Sequence, residues 1–201
     1  MEKENYLDPV RLSRLQKRIC EVATTHGWYE QPRTAYELCG LVMTEIAEAV
    51  EADRNDRRAN TEAMADLMRV QADSKEGLSD HWCDMWYSTY YKMYVKGSIE
   101  EEFADVVIRL LDMAQGVHGD KIQWFGYYPL GLMGYRENVS FVANAWYFVH
   151  EVLNWGKTNI NNSVSFMYDW AQDLGIDLWQ HIEWKMKYNE LRPYRHGGKK
   201  Y

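Results

Sequence analysis

At four places along this 201-residue chain, residues pair in the way that opens an α-helix, and nowhere do they alternate in the way that marks a strand. Asp8-Pro9 sets an N-cap before a proline at the first helical position, and Leu12, Leu15, Ile19 and Val22 follow at helical spacing until Gly27. Thr34 and Glu37 have capping-box spacing and predict a helix to about Asn55. Ser98 and Glu101 repeat that spacing ahead of a strongly apolar helix to about Val117. Asp177 with Gln180 caps a last helix to Leu191, which Pro193 stops. Between these signals, residues 56–76 read as polar helix and loop. Ser79-Asp80 precedes a helix over 81–94 whose expected core face is Trp82, Met85, Trp86, Tyr90 and Met93. Residues 126–134 read as a Gly/Pro/aromatic loop, and 140–155 and 163–174 as helices. The expectation is an all-α helical bundle forming one domain over 1–201, with no internal repeat or linker.

Charge and composition narrow the function. The formal net charge is −7, and a general nucleic-acid binder needs a basic surface to displace counterions, so no nucleic-acid partner is expected. A basic cluster at the end of the chain, Arg192, Arg195, His196, Lys199 and Lys200, suits small polyanions such as triphosphates, or is a solvated tail. Cys20, Cys39 and Cys83 are sparse and show no C-x-x-C spacing, which is expected of reduced thiols in a cytoplasmic protein. The first ten residues are charged and lack the apolar core of a signal peptide, and no apolar run reaches the length of a membrane span.

The chemistry is concentrated in one helix. On a wheel of 100° per residue, Leu38, Leu41, Val42, Ala49 and Ala52 form an apolar stripe, and Glu45 and Glu48 fall within it. An unpaired carboxylate inside a core costs several kcal/mol. Two glutamates at i, i+3 on an inward face therefore require a cation, a buried salt bridge, or a helix face other than the one drawn. In the helix after Ser98, Glu102 and Asp105 repeat the i, i+3 spacing. Glu102 borders the stripe of Phe103, Val106, Val107, Leu110 and Ala114, while Asp105 lies further round with Arg109 and Asp112. Acids in a first helical turn also favour the helix dipole without any ligand. Two such pairs facing one another would make a hard-oxygen site suited to Mg²⁺ and to phosphoryl chemistry.

The run Glu45-Ile46-Ala47-Glu48 followed by Glu102-Phe103-Ala104-Asp105 resembles the ExxE…ExxD signature of the MazG-like all-α nucleoside triphosphate pyrophosphohydrolases. The stretch EEFADVVIRLLDMA and the ending KMKYNELRPYRHGGKKY are similar to segments of that family, the ending through a lysine and an asparagine four apart. The resemblance covers about 35–55 and 98–118, with the tail from Lys185. The chain departs from the pattern in an enlarged segment at about 56–97 and in added helices at about 135–175. The resemblance implies that Glu45, Glu48, Glu102 and Asp105 hold Mg²⁺, with Mn²⁺ as a substitute. It further implies water attack on the α-phosphorus of a (d)NTP, giving a nucleoside monophosphate and pyrophosphate, and a homodimer or larger homo-oligomer.

Lys185, Asn189 and Arg192 share one helical face with Leu178 and Ile182 and are the candidate phosphate contacts; the alternative is a snorkelling basic stripe. Lys199 and Lys200 are further candidates, and Trp82, Trp86 and Tyr90 are candidates for stacking on the base. None of the six histidines follows a glutamate by three residues, which removes the di-iron carboxylate pattern, and no H-E-x-x-H, G-x-S-x-G or P-loop is present. Two other expectations compete with the enzyme. One is a non-catalytic helical module that binds metal or nucleotide. The other is a structural bundle whose inward acids pair with Arg109 or Lys185.

Overall fold

The computed structural model describes residues 7–73, 79–119, 122–124, 135–153 and 157–198. These residues contain helices and no strand, so the fold is all-α. In chain order the helices are α1 (Pro9–Thr25), α2 (Ala35–Arg54), α3 (Thr61–Asp73), α4 (Asp80–Tyr94), α5 (Ile99–His118), α6 (Phe141–Leu153), α7 (Lys157–Asp173), α8 (Leu178–Glu190) and the short α9 (Arg195–Gly198).

The sequence signals at the helix starts act as expected, with one exception. Asp8 accepts from the Val10 amide, Thr34 and Glu37 close a full capping box, and Asp177 accepts from the Gln180 amide. At α5 only half the box forms. The Ser98 hydroxyl accepts from the Glu101 amide, but the Glu101 carboxylate accepts from the Gly97 amide and also pairs with Lys185. A buried lysine offers that carboxylate more than a helix end does, so the acid is drawn inward.

Helix α5 is the axis of the bundle. Its buried residues run almost without interruption from Ile99 to Ala114, and it packs against α1, α2, α7 and α8. One apolar core joins α1, α2, α5, α6, α7 and α8. A smaller aromatic cluster joins α3 and α4 to α8 through Met64, Tyr87, Tyr91, Trp184 and Tyr188.

The expected core face of α4 is incorrect. Trp82 is 51% exposed and Met93 is 65% exposed, and Met85 and Tyr90 are exposed as well. The helix docks instead through Tyr87 and Tyr91, which are fully buried. Tyr87 donates its hydroxyl to the Trp184 carbonyl at 2.7 Å, and the Tyr91 ring stacks on Tyr188 with centroids 4.4 Å apart. A tyrosine brings both a large apolar ring and a donor to such a contact, so polarity at 87 and 91 concealed the buried side. Helix α7 begins at Lys157, six residues before the expected Ser163. The buried Asn161 donates its amide to the Gln123 carbonyl at 3.2 Å, a tertiary contact that offsets asparagine's weak helix propensity. The expected 126–134 loop lies outside the described residues, as do Lys199 and Lys200. No helix among the described residues is long and apolar enough to cross a membrane.

Candidate functional site

A cleft of about 380 Å³ opens where α2, α5 and α8 meet, within the range of small-ligand sites. Helix α2 supplies Glu45 and Glu48; α5 supplies Glu101, Glu102, Asp105, Arg109 and Asp112; α8 and the residues after it supply Lys185, Asn189 and Arg192. The four acids expected to hold metal and the three residues expected to meet phosphate therefore all line one cavity.

They do not all stand in equivalent positions. Carboxylate oxygens of Glu45, Glu48 and Glu102 lie within 4.8 Å of one another. Asp105 stands beside this triad and is held by the Lys185 ammonium at 2.5 Å. Lys185 also pairs with Glu101 at 2.5 Å, and Arg109 donates to Glu45 at 2.9 Å. Glu48 and Glu102 have no ion pair or hydrogen-bonding side-chain partner among the described residues. Glu48, expected within the apolar stripe of α2, is exposed instead, because the buried stripe runs through Cys39, Val42, Ile46 and Ala49 and leaves position 48 at its edge; Glu102 is only 5% exposed.

The electrostatics follow from that arrangement. Burial, then the charges of Asp105 and Glu101, push the Glu102 carboxyl up to about 9, against the pull of Lys185. Burial and Asp105 push Glu45 up to about 7, with Arg109 acting in the opposite sense. Burial also raises Asp105, although Lys185 opposes it. Lys185 itself is raised because its two carboxylates outweigh its burial. On Arg192, burial dominates and lowers the guanidinium from its usual range. No ion pair reaches that guanidinium among the described residues. The buried Oδ1 of Asn189 likewise has no hydrogen-bond partner. Among the described residues the cleft thus carries two acids and a guanidinium without a counter-ion, and a buried amide oxygen without a donor.

Three candidates do not reach the cleft. Trp82, Trp86 and Tyr90 lie on α4, outside its lining. The aromatic side chains that do line it are Trp28, from the turn after α1, and Tyr188 and His196, from α8 and the residues after it. Sequence reasoning missed Trp28, because nothing in a loop's spacing shows which way its side chains point. It also read Glu101 as a cap alone, although Glu101 and Asp105 at i, i+4 share a helix face. No protein-family model, curated protein or solved structure matches the chain.

Proposed function

We propose that this cleft is the site of a Mg²⁺-dependent nucleoside triphosphate pyrophosphohydrolase. The observation that carries the reading is Glu102: buried, unpaired among the described residues, and within 4.8 Å of two further carboxylates. Three like charges that close need protons or a cation between them. An all-oxygen donor set fits a hard divalent ion such as Mg²⁺, or Mn²⁺, better than a soft one. Such an ion, when bound, neutralises phosphate charge and acidifies a water.

The chain's own residues divide the remaining work. Glu45, Glu48 and Glu102 hold the cation, and Arg109 fixes the rotamer of Glu45 through its 2.9 Å bond. Arg192 faces the phosphates with a guanidinium that no carboxylate holds among the described residues, and Asn189 would meet them through its Nδ2 donor, because its unpartnered Oδ1 is an acceptor. Lys185 is engaged with Glu101 and Asp105, so its role is to position acids rather than to bind substrate. Asp105 borders the ion site from that pair. Water attack on the α-phosphorus then breaks the bond to the bridging oxygen, releasing pyrophosphate and a monophosphate. A homodimer or larger assembly is part of the same proposal and rests on the resemblance alone.

The pairs Glu45–Arg109 and Asp105–Lys185 favour a second reading, a non-catalytic helical module that binds metal or nucleotide. A turnover panel separates the two. Common and modified NTPs and dNTPs are incubated with Mg²⁺, and monophosphate, pyrophosphate and inorganic phosphate are read separately. Monophosphate with pyrophosphate is expected. A rise in melting temperature with Mg²⁺ but no product from any nucleotide would leave the module as the better account.

The ion itself gives an independent prediction. Glu45 and Glu102 have folded values of about 7 and about 9, above the ordinary 4.5 of a glutamate. Without a cation, the stability these groups confer is fully present below 4.5 and is lost as pH rises through those values. Mg²⁺ displaces the same protons. The Mg²⁺-induced rise in melting temperature is therefore expected to be larger at pH 8.5 than at pH 6. An equal rise at both pH values would show that the ion binds elsewhere.

A further inference from the structure

The acidic triad lines the cleft from Glu102 along α5 to Arg109, which donates to Glu45, and beyond Arg109 the chemistry changes. Glu102 and Asp112 both line the cleft on α5, ten residues apart, which is about 15 Å along a helix. Around Asp112 stand Trp28 and Arg33, both from the segment that joins α1 to α2.

Trp28 is held in place from several sides. Gly27 turns the chain with φ +76°, a left-handed conformation that favours glycine, and the Tyr194 ring packs so closely on it that a Cβ would lie 2.4 Å from the ring. The His196 ring meets the indole edge-on at 5.2 Å between centroids, and the Arg33 guanidinium lies 5.4 Å from the indole centroid. The indole remains partly exposed to the cleft. Asp112, by contrast, is buried. The Tyr29 hydroxyl donates to its Oδ1, and Arg33 stands 3.9 Å from its Oδ2. Burial and Asp112 raise Tyr29 far above the usual phenol range, so its hydroxyl stays a donor. An ionised carboxylate accepts only, and its two oxygens offer about four acceptor positions, more than Tyr29 and Arg33 fill.

We propose that the Trp28 end of the cleft is a nucleobase subsite in which Asp112 selects bases that carry an amino group over uracil and thymine. The assignment rests on the pyrophosphohydrolase reading, which places the phosphates at the triad. The separation of the two ends matches the layout of an extended nucleotide, with charge at one end and a flat ring at the other. The indole supplies a stacking surface that any base can use. Asp112 supplies an acceptor that only a donating edge can meet. Guanine offers adjacent N1–H and N2–H₂ donors, and cytosine and adenine each offer an exocyclic amine. Uracil and thymine offer one ring N–H flanked by two carbonyls, and those oxygens would face the carboxylate across a buried site. Asparagine at 112 keeps the shape but adds a donor, which a carbonyl edge accepts.

The test compares GTP, CTP, ATP, UTP and dTTP by kcat/KM in wild type, D112N and W28A, together with calorimetry of guanosine and uridine, which carry no phosphate. Wild type is expected to favour the amino-bearing bases by about tenfold or more, because a polar site rejects a partner that leaves its group unpaired. D112N should reduce that preference to within about threefold, by the same argument. W28A should raise KM about tenfold for every base, in the range of one lost stacking contact. The milder variant W28F keeps a ring and should recover most of the affinity, which separates stacking from loop collapse. Equal cleavage of all five nucleotides, unchanged in D112N, would overturn the subsite and leave the pyrophosphohydrolase standing. Guanosine binding that D112N abolishes, in a protein that cleaves nothing, would keep the subsite and remove the reaction. With neither turnover nor nucleoside binding, both fall.

Discussion

Glu102→Gln is expected to lower nucleotide turnover about 10²–10³-fold, the loss typical of removing one group that stabilises charge in the transition state. At the same time it should leave the metal-free protein at least as stable as wild type at pH 8. The two effects have one cause. Glu102 is 5% exposed and has no partner among the described residues, and its carboxyl is pushed up to about 9 by burial and by Asp105 and Glu101. Its folded value lies above its unfolded one, so its contribution to stability is lost as pH rises from 4.5 towards 9. Glutamine has nearly the same shape and no charge to lose, so the variant should melt at or above the wild-type temperature at pH 8 and show a smaller response to Mg²⁺. Circular dichroism melts with and without Mg²⁺, run beside the turnover assay, read both quantities. A variant that is inactive and also several degrees less stable would place Glu102 in a structural network. A fully active variant would take it out of the ion site.

Much of this arrangement is legible in the sequence because it depends on short-range geometry. Helix starts are set by side chains bonding to amides two or three residues away, so Asp8, Thr34 and Asp177 could be read directly. The inward turn of Glu45 could be read because α2 is regular, but a stripe drawn through Leu41 is one edge too wide and takes Glu48 inward with it, whereas Glu48 is exposed. What could not be read depends on partners distant in the chain. The orientation of α4 is decided by Tyr188 and the Trp184 carbonyl, about a hundred residues away, and both favour tyrosine over the larger apolar side chains on the opposite face. The position of Trp28 depends on a turn whose direction is fixed by Tyr194 from the far end of the chain. Asp105 follows the i, i+3 spacing of its family-like motif, yet Lys185 of α8 decides which way its carboxylate is held.

Lys185→Met should produce the largest loss of stability of any single change in the cleft. The ammonium is 7% exposed and lies 2.5 Å from both Glu101 and Asp105, whose side chains are themselves only 2% and 15% exposed. Methionine keeps most of the volume, so the lost term is electrostatic: two buried carboxylates are left with no countercharge. Removing one partner of a buried pair costs about 3–5 kcal/mol, far more than losing an exposed one. The pH dependence has a definite sign. Burial already raises Asp105, and Lys185 is the strongest influence holding it down, so the variant's Asp105 rises further. A carboxylate whose folded value exceeds its unfolded value is most stabilising at low pH. The deficit of Lys185→Met against wild type should therefore be greatest near pH 8 and shrink towards pH 5, measured by urea unfolding at each pH. Adding Glu101→Gln and Asp105→Asn to the same chain removes the stranded charges and should recover most of the loss at pH 8, since replacing a whole buried ionic set is far milder than breaking it. If the triple variant stays as unstable as the single one, packing of the lysine stem rather than its charge is what α8 contributes to the bundle. If the recovery appears, the loss in Lys185→Met comes from the stranded charges of Glu101 and Asp105, and the work of the lysine is to neutralise those two acids where α8 meets α5.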